Sequence, residues 1–100
     1  MKIIWTRTAT NSLDEIVDYI NTKFGKKIGL AFFNECISVV ESIHQYNDIG
    51  TRLPENPVYR SFVIAKKTTL YYSIRSGDLY LLYFFNNRVD PEKLRKVLDL

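Results

Sequence analysis

The 100-residue chain contains one cysteine, Cys36, and one histidine, His44. A single thiol cannot form an internal disulfide, and one thiol with one imidazole cannot supply the usual ligand set of a structural zinc site. Cys36 is therefore interpreted as a small buried apolar residue, in keeping with a reducing compartment. His44 falls near the end of a predicted helix, where it is interpreted as a partner of the helix dipole. We expect no metal ion and no organic cofactor.

Long apolar runs and a Gly-rich phosphate-binding loop are also missing. No stretch approaches the roughly 18 apolar residues that indicate a membrane span. The first residues do not follow the charged, apolar and small-residue order of a secretory signal. The sequence therefore does not predict a membrane protein or a P-loop enzyme, and we expect a cytoplasmic protein with no membrane partner.

Two amphipathic helices are predicted in the first half of the chain. With 46% hydrophobic residues in 100, residues 1–100 can form one domain with its own core. Apolar residues recur at helical spacing from Leu13 to Phe24 and again over residues 26–46. The first helix is expected to begin at Thr8, Thr10 or Ser12. Because only Gly25 separates the two helices, they are predicted to form an antiparallel hairpin.

Runs of aromatic and β-branched residues predict the strands. They cover residues 2–6, 59–64, 68–75 and 79–85. Residues 47–57, rich in Asn, Gly and Pro, are predicted to be a loop, and Asp90-Pro91-Glu92 indicates the start of a short helix. The expected fold class is α+β. An N-terminal strand, the helical hairpin and a three-stranded antiparallel meander would form one four-stranded sheet, followed by a short C-terminal helix.

Positive charge is concentrated in the second half of the chain. Residues 1–59 carry six Lys or Arg against seven acids, whereas residues 60–100 carry eight against four. Such asymmetry favours an acidic or polyanionic partner for the second half. The alternative is a solvated surface with a chance surplus of cations.

Alternation along the strands predicts a sheet with one core face and one available face. In residues 68–75 the available side would carry Tyr71 and Arg75, since strand side chains alternate. With basic residues nearby, this surface could neutralise phosphates and stack bases, as in proteins that grip single-stranded RNA. Alternatively, the tyrosines are ordinary sheet residues. The candidate target-binding residues are Lys66, Lys67, Tyr71, Arg75 and Lys93.

The order of these segments resembles the RelE/ParE superfamily of toxins from type II toxin-antitoxin, or plasmid stabilisation, modules. The resemblance covers nearly the whole chain. Ile4-Trp5-Thr6 with residues 13–20 is similar to the family's first strand and helix, and Tyr59-Arg60 to its first hairpin strand. Residues 69–74 and 81–88 are similar to its last two strands. The ending Asn87-Arg88-Val89-Asp90-Pro91-Glu92-Lys93-Leu94 is similar to a subgroup that closes on Asn-Arg, a variable residue, Asn or Asp, Pro and Lys-Leu.

This resemblance implies a candidate catalytic pair, Arg60 and Arg88. In the ribosome-dependent mRNA interferases of the superfamily, basic residues on the sheet cleave RNA. Arg60 stands where such an enzyme has a Lys, and Arg88 matches the Arg at the end of the last strand. We expect the two guanidinium groups to converge on one cationic hollow. Elsewhere the family's Arg, Lys, Tyr and His are replaced by Thr69, Phe62, Leu94 and Asn86.

The resemblance also implies a bacterial toxin that a cognate antitoxin neutralises through a helix or strand. Its target would be either mRNA on the ribosome, which interferases cut, or DNA gyrase, which ParE-type relatives poison by binding. The alternatives are a member that binds the antitoxin but has lost toxicity, and a general RNA-binding domain.

Overall fold

A computed structural model describes residues 1–88 and 90–100. Val89, part of the closing motif, lies outside the described residues. The elements follow in the order β1 (Ile3–Trp5), α1 (Arg7–Phe24), α2 (Lys26–Gln45), β2 (Thr51–Arg52), β3 (Tyr59–Ile64), β4 (Thr68–Arg75), β5 (Asp78–Asn86) and α3 (Pro91–Leu98).

Helix α1 begins earlier than expected, because its N-cap is Thr6, two residues before the first expected cap, Thr8. The Thr6 hydroxyl oxygen accepts a hydrogen bond from the backbone N–H of Ala9 at 3.1 Å. The same hydroxyl donates to the carbonyl of Leu81 at 2.7 Å. One side chain therefore satisfies a free helical N–H group and ties the start of α1 to β5. This tertiary contact makes Thr6 the N-cap in preference to Thr8, Thr10 and Ser12.

The helical hairpin is confirmed, and glycine determines its geometry. Gly25 ends α1 with a φ of 97°, a left-handed conformation that favours glycine. At Gly29 the second helix faces the Asn21 side chain of the first, and an added Cβ would meet the carboxamide of Asn21 but no backbone atom. Glycine here makes room for a side chain that can move.

The sheet has five strands rather than the expected four, in the order β1-β5-β4-β3-β2. The antiparallel meander of β3, β4 and β5 is as predicted. However, β1 pairs with β5 in parallel, because the chain crosses the sheet through the helical hairpin before it returns. The additional strand, β2, lies within the predicted loop and pairs with β3. Two residues are too few to show strand periodicity in the sequence.

Both faces of β4 are covered, which corrects the prediction of one available face. On one face α1 and α2 pack against the strands to form the main core, which includes Leu13, Phe32, Ile43, Leu70, Tyr72 and Phe84. On the other face, residues of α3 and of the segment between α2 and β3 contribute to a second cluster that includes Leu53, Tyr71, Tyr83, Phe85, Leu94 and Leu98. Consequently residues 68–73, the whole first part of β4, are buried.

The segment between α2 and β3, here called the connector (residues 46–58), is held to the main core by Tyr72. The Tyr72 hydroxyl accepts a hydrogen bond from the backbone N–H of Gly50 at 3.0 Å and donates to the carbonyl of Asn47 at 2.9 Å. A Cβ at Gly50 would lie 2.5 Å from this hydroxyl and 2.8 Å from the carbonyl oxygen of Ser61. There is no room for a side chain at Gly50.

We therefore predict that Gly50→Ala lowers the free energy of unfolding by about 1–3 kcal/mol, the usual cost of overpacking a rigid site. Gly29→Ala is the matched control. Its only near contact is the end of the Asn21 side chain, which can rotate away, and alanine improves helix propensity by up to about 1 kcal/mol. Urea unfolding followed by far-UV circular dichroism measures both. Equal losses in the two variants would contradict the assigned role of Gly50.

Candidate functional site

Arg60 lies on the hairpin side of the sheet, since it pairs directly with Tyr72. Its Nη1 donates a hydrogen bond to the carbonyl oxygen of Gly50 at 2.8 Å and makes a longer contact of 3.4 Å with that of Asp48. The side chain is half-buried beside the connector. The guanidinium of Arg60 thus satisfies two backbone carbonyl groups by hydrogen bonding. Arg60 and Tyr72 together hold the connector in place.

Arg88 follows the end of β5 and is exposed. Its backbone N–H donates to Oδ1 of Asn86 at 3.0 Å. Its Nη1 donates to the hydroxyl of Tyr19, on α1, at 3.0 Å. The guanidinium therefore lies at the surface, against the helical hairpin.

The two arginines do not converge, contrary to expectation. Through Tyr72, Arg60 lies level with Leu81 on β5. Asn86, which precedes Arg88, is five residues further along that strand, or about 17 Å at the rise of an extended chain. The side chains line different depressions at opposite ends of the meander. A shared cationic hollow is not formed.

The depression beside Arg88, here called the hairpin groove, has a volume of about 310 Å³. It lies between the end of α1, the start of α2, the β3–β4 turn and the end of β5. Its apolar lining residues are Ile16, Ile20, Phe24, Ile28, Phe32 and Ala65, and its charged ones are Glu35, Lys67 and Arg88. Phe24 and Ile28, which lie within the predicted amphipathic helices, are each 53% exposed.

Tyr19 is the residue of this groove that sequence reasoning missed. Its hydroxyl oxygen accepts hydrogen bonds from Nζ of Lys23 at 3.1 Å and from Nη1 of Arg88 at 3.0 Å. These contacts, first that with Lys23 and then the charge of Arg88, lower the pKa of Tyr19. Helical spacing places Lys23 near Tyr19, but no local signal connects Tyr19 with Arg88 so far along the chain.

The predicted binding residues are distributed over several surfaces. Lys66 and Lys67 are exposed in the β3–β4 turn, and Lys67 lines the hairpin groove. Arg75 lies over the rings of Tyr59 and Tyr80, at 5.9 and 5.8 Å from their centroids, in a cation–π arrangement. Lys93, on α3, lines a separate small depression.

Tyr71 is 8% exposed in the second cluster, so it cannot stack a base as expected. Burial, and then the negative charge of Glu55, raise its pKa. Tyr71 is buried because α3 docks over this face of the sheet. Of the predicted set, the structure brings only Lys67 and Arg88 together in one groove.

The groups considered next are poor candidates for accepting a proton at the site. Burial raises the pKa values of Tyr72 and Tyr83 and raises that of Cys36 to about 12. His44 Nε2 lies 2.7 Å from the carbonyl oxygen of Met1, remote in the fold from the hairpin groove.

Among residues 1–88 and 90–100, no three His, Cys, Asp or Glu side chains form a metal-binding group. In the same residues, no helix combines the length and apolarity needed to cross a membrane.

Comparison with known proteins defines the class. The structure is similar to a chain of the "Chromosomal ParDE TA system from P. aeruginosa", with a TM-score of 0.75 and 22% identity. The match covers 86% of this chain and 95% of that one. A search of curated proteins finds no match. The model of the family described as "ParE toxin of type II toxin-antitoxin system, parDE" matches residues 3–97.

The chain therefore belongs to the ParE toxin family. The resemblance to the RelE/ParE superfamily seen in the sequence is confirmed. The fold likeness to a ParDE chain agrees with it, since the match spans nearly all of both chains.

We predict that Tyr19 ionises below its ordinary pKa of 10.0 and that Lys23→Ala and Arg88→Ala each raise this pKa. NMR titration of the chain with ¹³Cζ-labelled tyrosine measures it, and Tyr19→Phe assigns the signal. A Tyr19 signal that titrates above 10.0 would contradict the contact geometry.

From the buried tyrosines we predict how the free energy of unfolding changes at alkaline pH. Because the folded pKa values of Tyr71, Tyr72 and Tyr83 are raised, the neutral phenols stabilise the fold. The free energy of unfolding is retained below the unfolded pKa of about 10 and falls as the pH rises through the folded values. Urea unfolding between pH 8 and 11 gives the profile.

Proposed function

We propose that this chain is the toxin of a type II toxin-antitoxin module, that it poisons DNA gyrase by binding, and that a cognate antitoxin neutralises it in the cytoplasm. Membership of the ParE family over residues 3–97 carries the proposal. ParE-type relatives act on gyrase, and the solved relative is described as a ParDE toxin-antitoxin system.

The chemistry of the site supports binding over cutting. Cleavage of RNA through its 2′-hydroxyl requires a group that accepts a proton, worth about 10²–10⁴ in rate. Arg60 and Arg88 stay protonated and cannot accept it. Arg60 is in addition engaged by the carbonyl of Gly50. Inhibition by binding requires no base, and an exposed Arg88 next to an apolar groove suits a protein target.

mRNA cleavage remains a second candidate function, because one observation favours it. Tyr19 has a lowered pKa and contacts Arg88 directly. A tyrosine that ionises readily beside a guanidinium offers a proton acceptor next to a group that stabilises charge on phosphorus. Tyr19→Phe separates the two functions, since it would abolish cleavage but leave a protein-binding surface largely apolar.

We predict that induction of the chain alone arrests growth of a bacterial host and that purified gyrase with the chain accumulates cleaved DNA, while transcripts stay intact. Co-expression of the small reading frame beside its gene, which we expect to encode the antitoxin, restores growth. Mapping of transcript ends after induction tests the second candidate in the same culture. Harmless soluble expression together with tight antitoxin binding would instead identify a member that has lost toxicity.

Arginine substitutions test the site. We predict that Arg88→Ala reduces toxicity at least tenfold with nearly unchanged stability, because its guanidinium is exposed and its hydrogen bond to another described side chain is that to Tyr19. Arg60→Ala is expected to lower the free energy of unfolding by about 1–2 kcal/mol, since a charged hydrogen bond to a carbonyl is lost. Plating efficiency after induction and urea unfolding measure the two effects. Full toxicity of Arg88→Ala would remove Arg88 from the site.

A further inference from the structure

The flank of α2 that faces away from the hairpin groove carries an exposed apolar stripe, here called the outer stripe. Leu30 and Phe33 are 60% and 36% exposed, and Ile37, one turn further on, is only partly buried. The three residues follow one another at steps of three and four, so they lie on one line along the helix. Ile28 and Glu35, which line the hairpin groove, lie on the opposite flank of α2 by helical geometry.

A depression lies beside the outer stripe, between it and α1. The depression has a volume of about 390 Å³. Its lining residues are Trp5, Thr10, Leu13, Asp14, Phe33 and Ile37. The outer stripe therefore combines a protruding side chain, Leu30, with a hollow that the other two residues border. A ridge next to a hollow is the shape with which two helices interlock.

Charged residues stand at both ends of the outer stripe. Lys26 lies one turn before Leu30, Glu41 lies one turn after Ile37, and both charged side chains are exposed. The midpoint of residues 26–41 is equally far from Lys26 and Glu41, and also equally far from Leu30 and Ile37. A second α2 placed antiparallel across this midpoint would therefore bring its Glu41 to Lys26 and its Ile37 to Leu30.

From this arrangement we propose that the outer stripe is the interface of a symmetric dimer of this chain, in which two α2 helices pack antiparallel about a two-fold axis. An interface of this kind requires a surface that is complementary to itself. Leu30 of each copy enters the depression beside Ile37 of the other. Lys26 of each copy pairs with Glu41 of the other. The inference is independent of the proposed function.

The charges of this surface favour a second copy over a partner of one charge sign. Lys26 and Glu41 cancel each other, and Lys27 and Asp14 add one further exposed charge of each sign. Net charge therefore selects neither an acidic nor a basic partner. The order of the charges selects a partner that carries them in reverse, which an antiparallel copy of α2 supplies.

The interface is expected to be small and the dimer reversible. Residues 26–41 extend over about 22 Å of helix, and the contacts beyond α2 are those of the depression. Such an interface buries less than the roughly 800 Å² per partner of a standard complex, so we expect a dissociation constant in the micromolar range. The hairpin groove stays open in the dimer, because it lies on the opposite flank of α2.

The test is sedimentation equilibrium of the full-length chain from about 5 to 500 µM, which brackets a micromolar Kd. Leu30→Glu, at a position that is 60% exposed in the single chain, is expected to raise Kd about a hundredfold or more, because it places an unpaired carboxylate between the helices. Lys26→Glu and Glu41→Lys are each expected to raise Kd about tenfold, since the two-fold axis makes every change count twice. The double variant restores opposite charges and should return Kd to within about threefold of that of the unchanged chain.

Glu35→Lys is the matched control for Glu41→Lys. It makes the same change on the opposite flank of α2, so Kd should stay within about twofold of that of the unchanged chain. Circular dichroism verifies that each variant is folded.

Disulfide trapping tests the register of the two helices. Asn34 is exposed next to the midpoint of residues 26–41, so Asn34→Cys places two thiols close together across the two-fold axis. Burial raises the pKa of Cys36 to about 12, which keeps this thiol unreactive. Mild oxidation is expected to link the Asn34→Cys variant into a covalent dimer and to leave Glu35→Cys, on the opposite flank, unlinked.

Four results would overturn the inference. The first is a chain that stays monomeric at the highest concentration. The second is a dimer whose Kd is unchanged by Leu30→Glu, because that dimer forms through another surface. The third is a double charge variant that does not recover, because the antiparallel register is then wrong. The fourth is a monomeric chain in which Leu30→Glu weakens binding of the antitoxin or of gyrase, because the outer stripe then belongs to that partner. The proposed function is measured separately, by toxicity, and stands or falls without these results.

Discussion

The burial of β4 on both faces is the constraint on which the rest of the molecule depends. Its side chains alternate between the main core beneath the helical hairpin and the second cluster beneath α3. A strand with two covered faces offers no open surface of its own to a ligand. The two depressions that Arg60 and Arg88 line accordingly lie at the ends of the strands.

The two ends use the same residue type for different purposes. At the connector end, the charge of Arg60 is used internally, because it satisfies the carbonyl of Gly50 next to the hydrogen bonds of Tyr72. At the hairpin end, Arg88 contacts a neutral phenol and keeps its exposure. An arginine held by backbone carbonyls stabilises the fold, whereas one held only by Tyr19 is available to a partner.

Local patterns predict the parts of this fold that local physics determines. Helical spacing, Gly25 and the strand runs are sufficient for the hairpin and the meander. The parallel pairing of β1, the two-residue β2 and the covering of Tyr71 by α3 depend on contacts between distant segments, which alternation cannot reveal. The same applies to the site. Arg88 has a signature in the closing motif, but its neighbour Tyr19 is brought to it only by the packing of α1 against β5.

An exposed apolar groove is a cost to the stability of the isolated chain. The exposed parts of Phe24 and Ile28 gain nothing from burial until a partner covers them. A partner that binds only the folded chain stabilises it in proportion to the logarithm of its concentration over Kd. The stability of the chain alone therefore depends on how firmly Gly50, Tyr72 and Arg60 hold the opposite end.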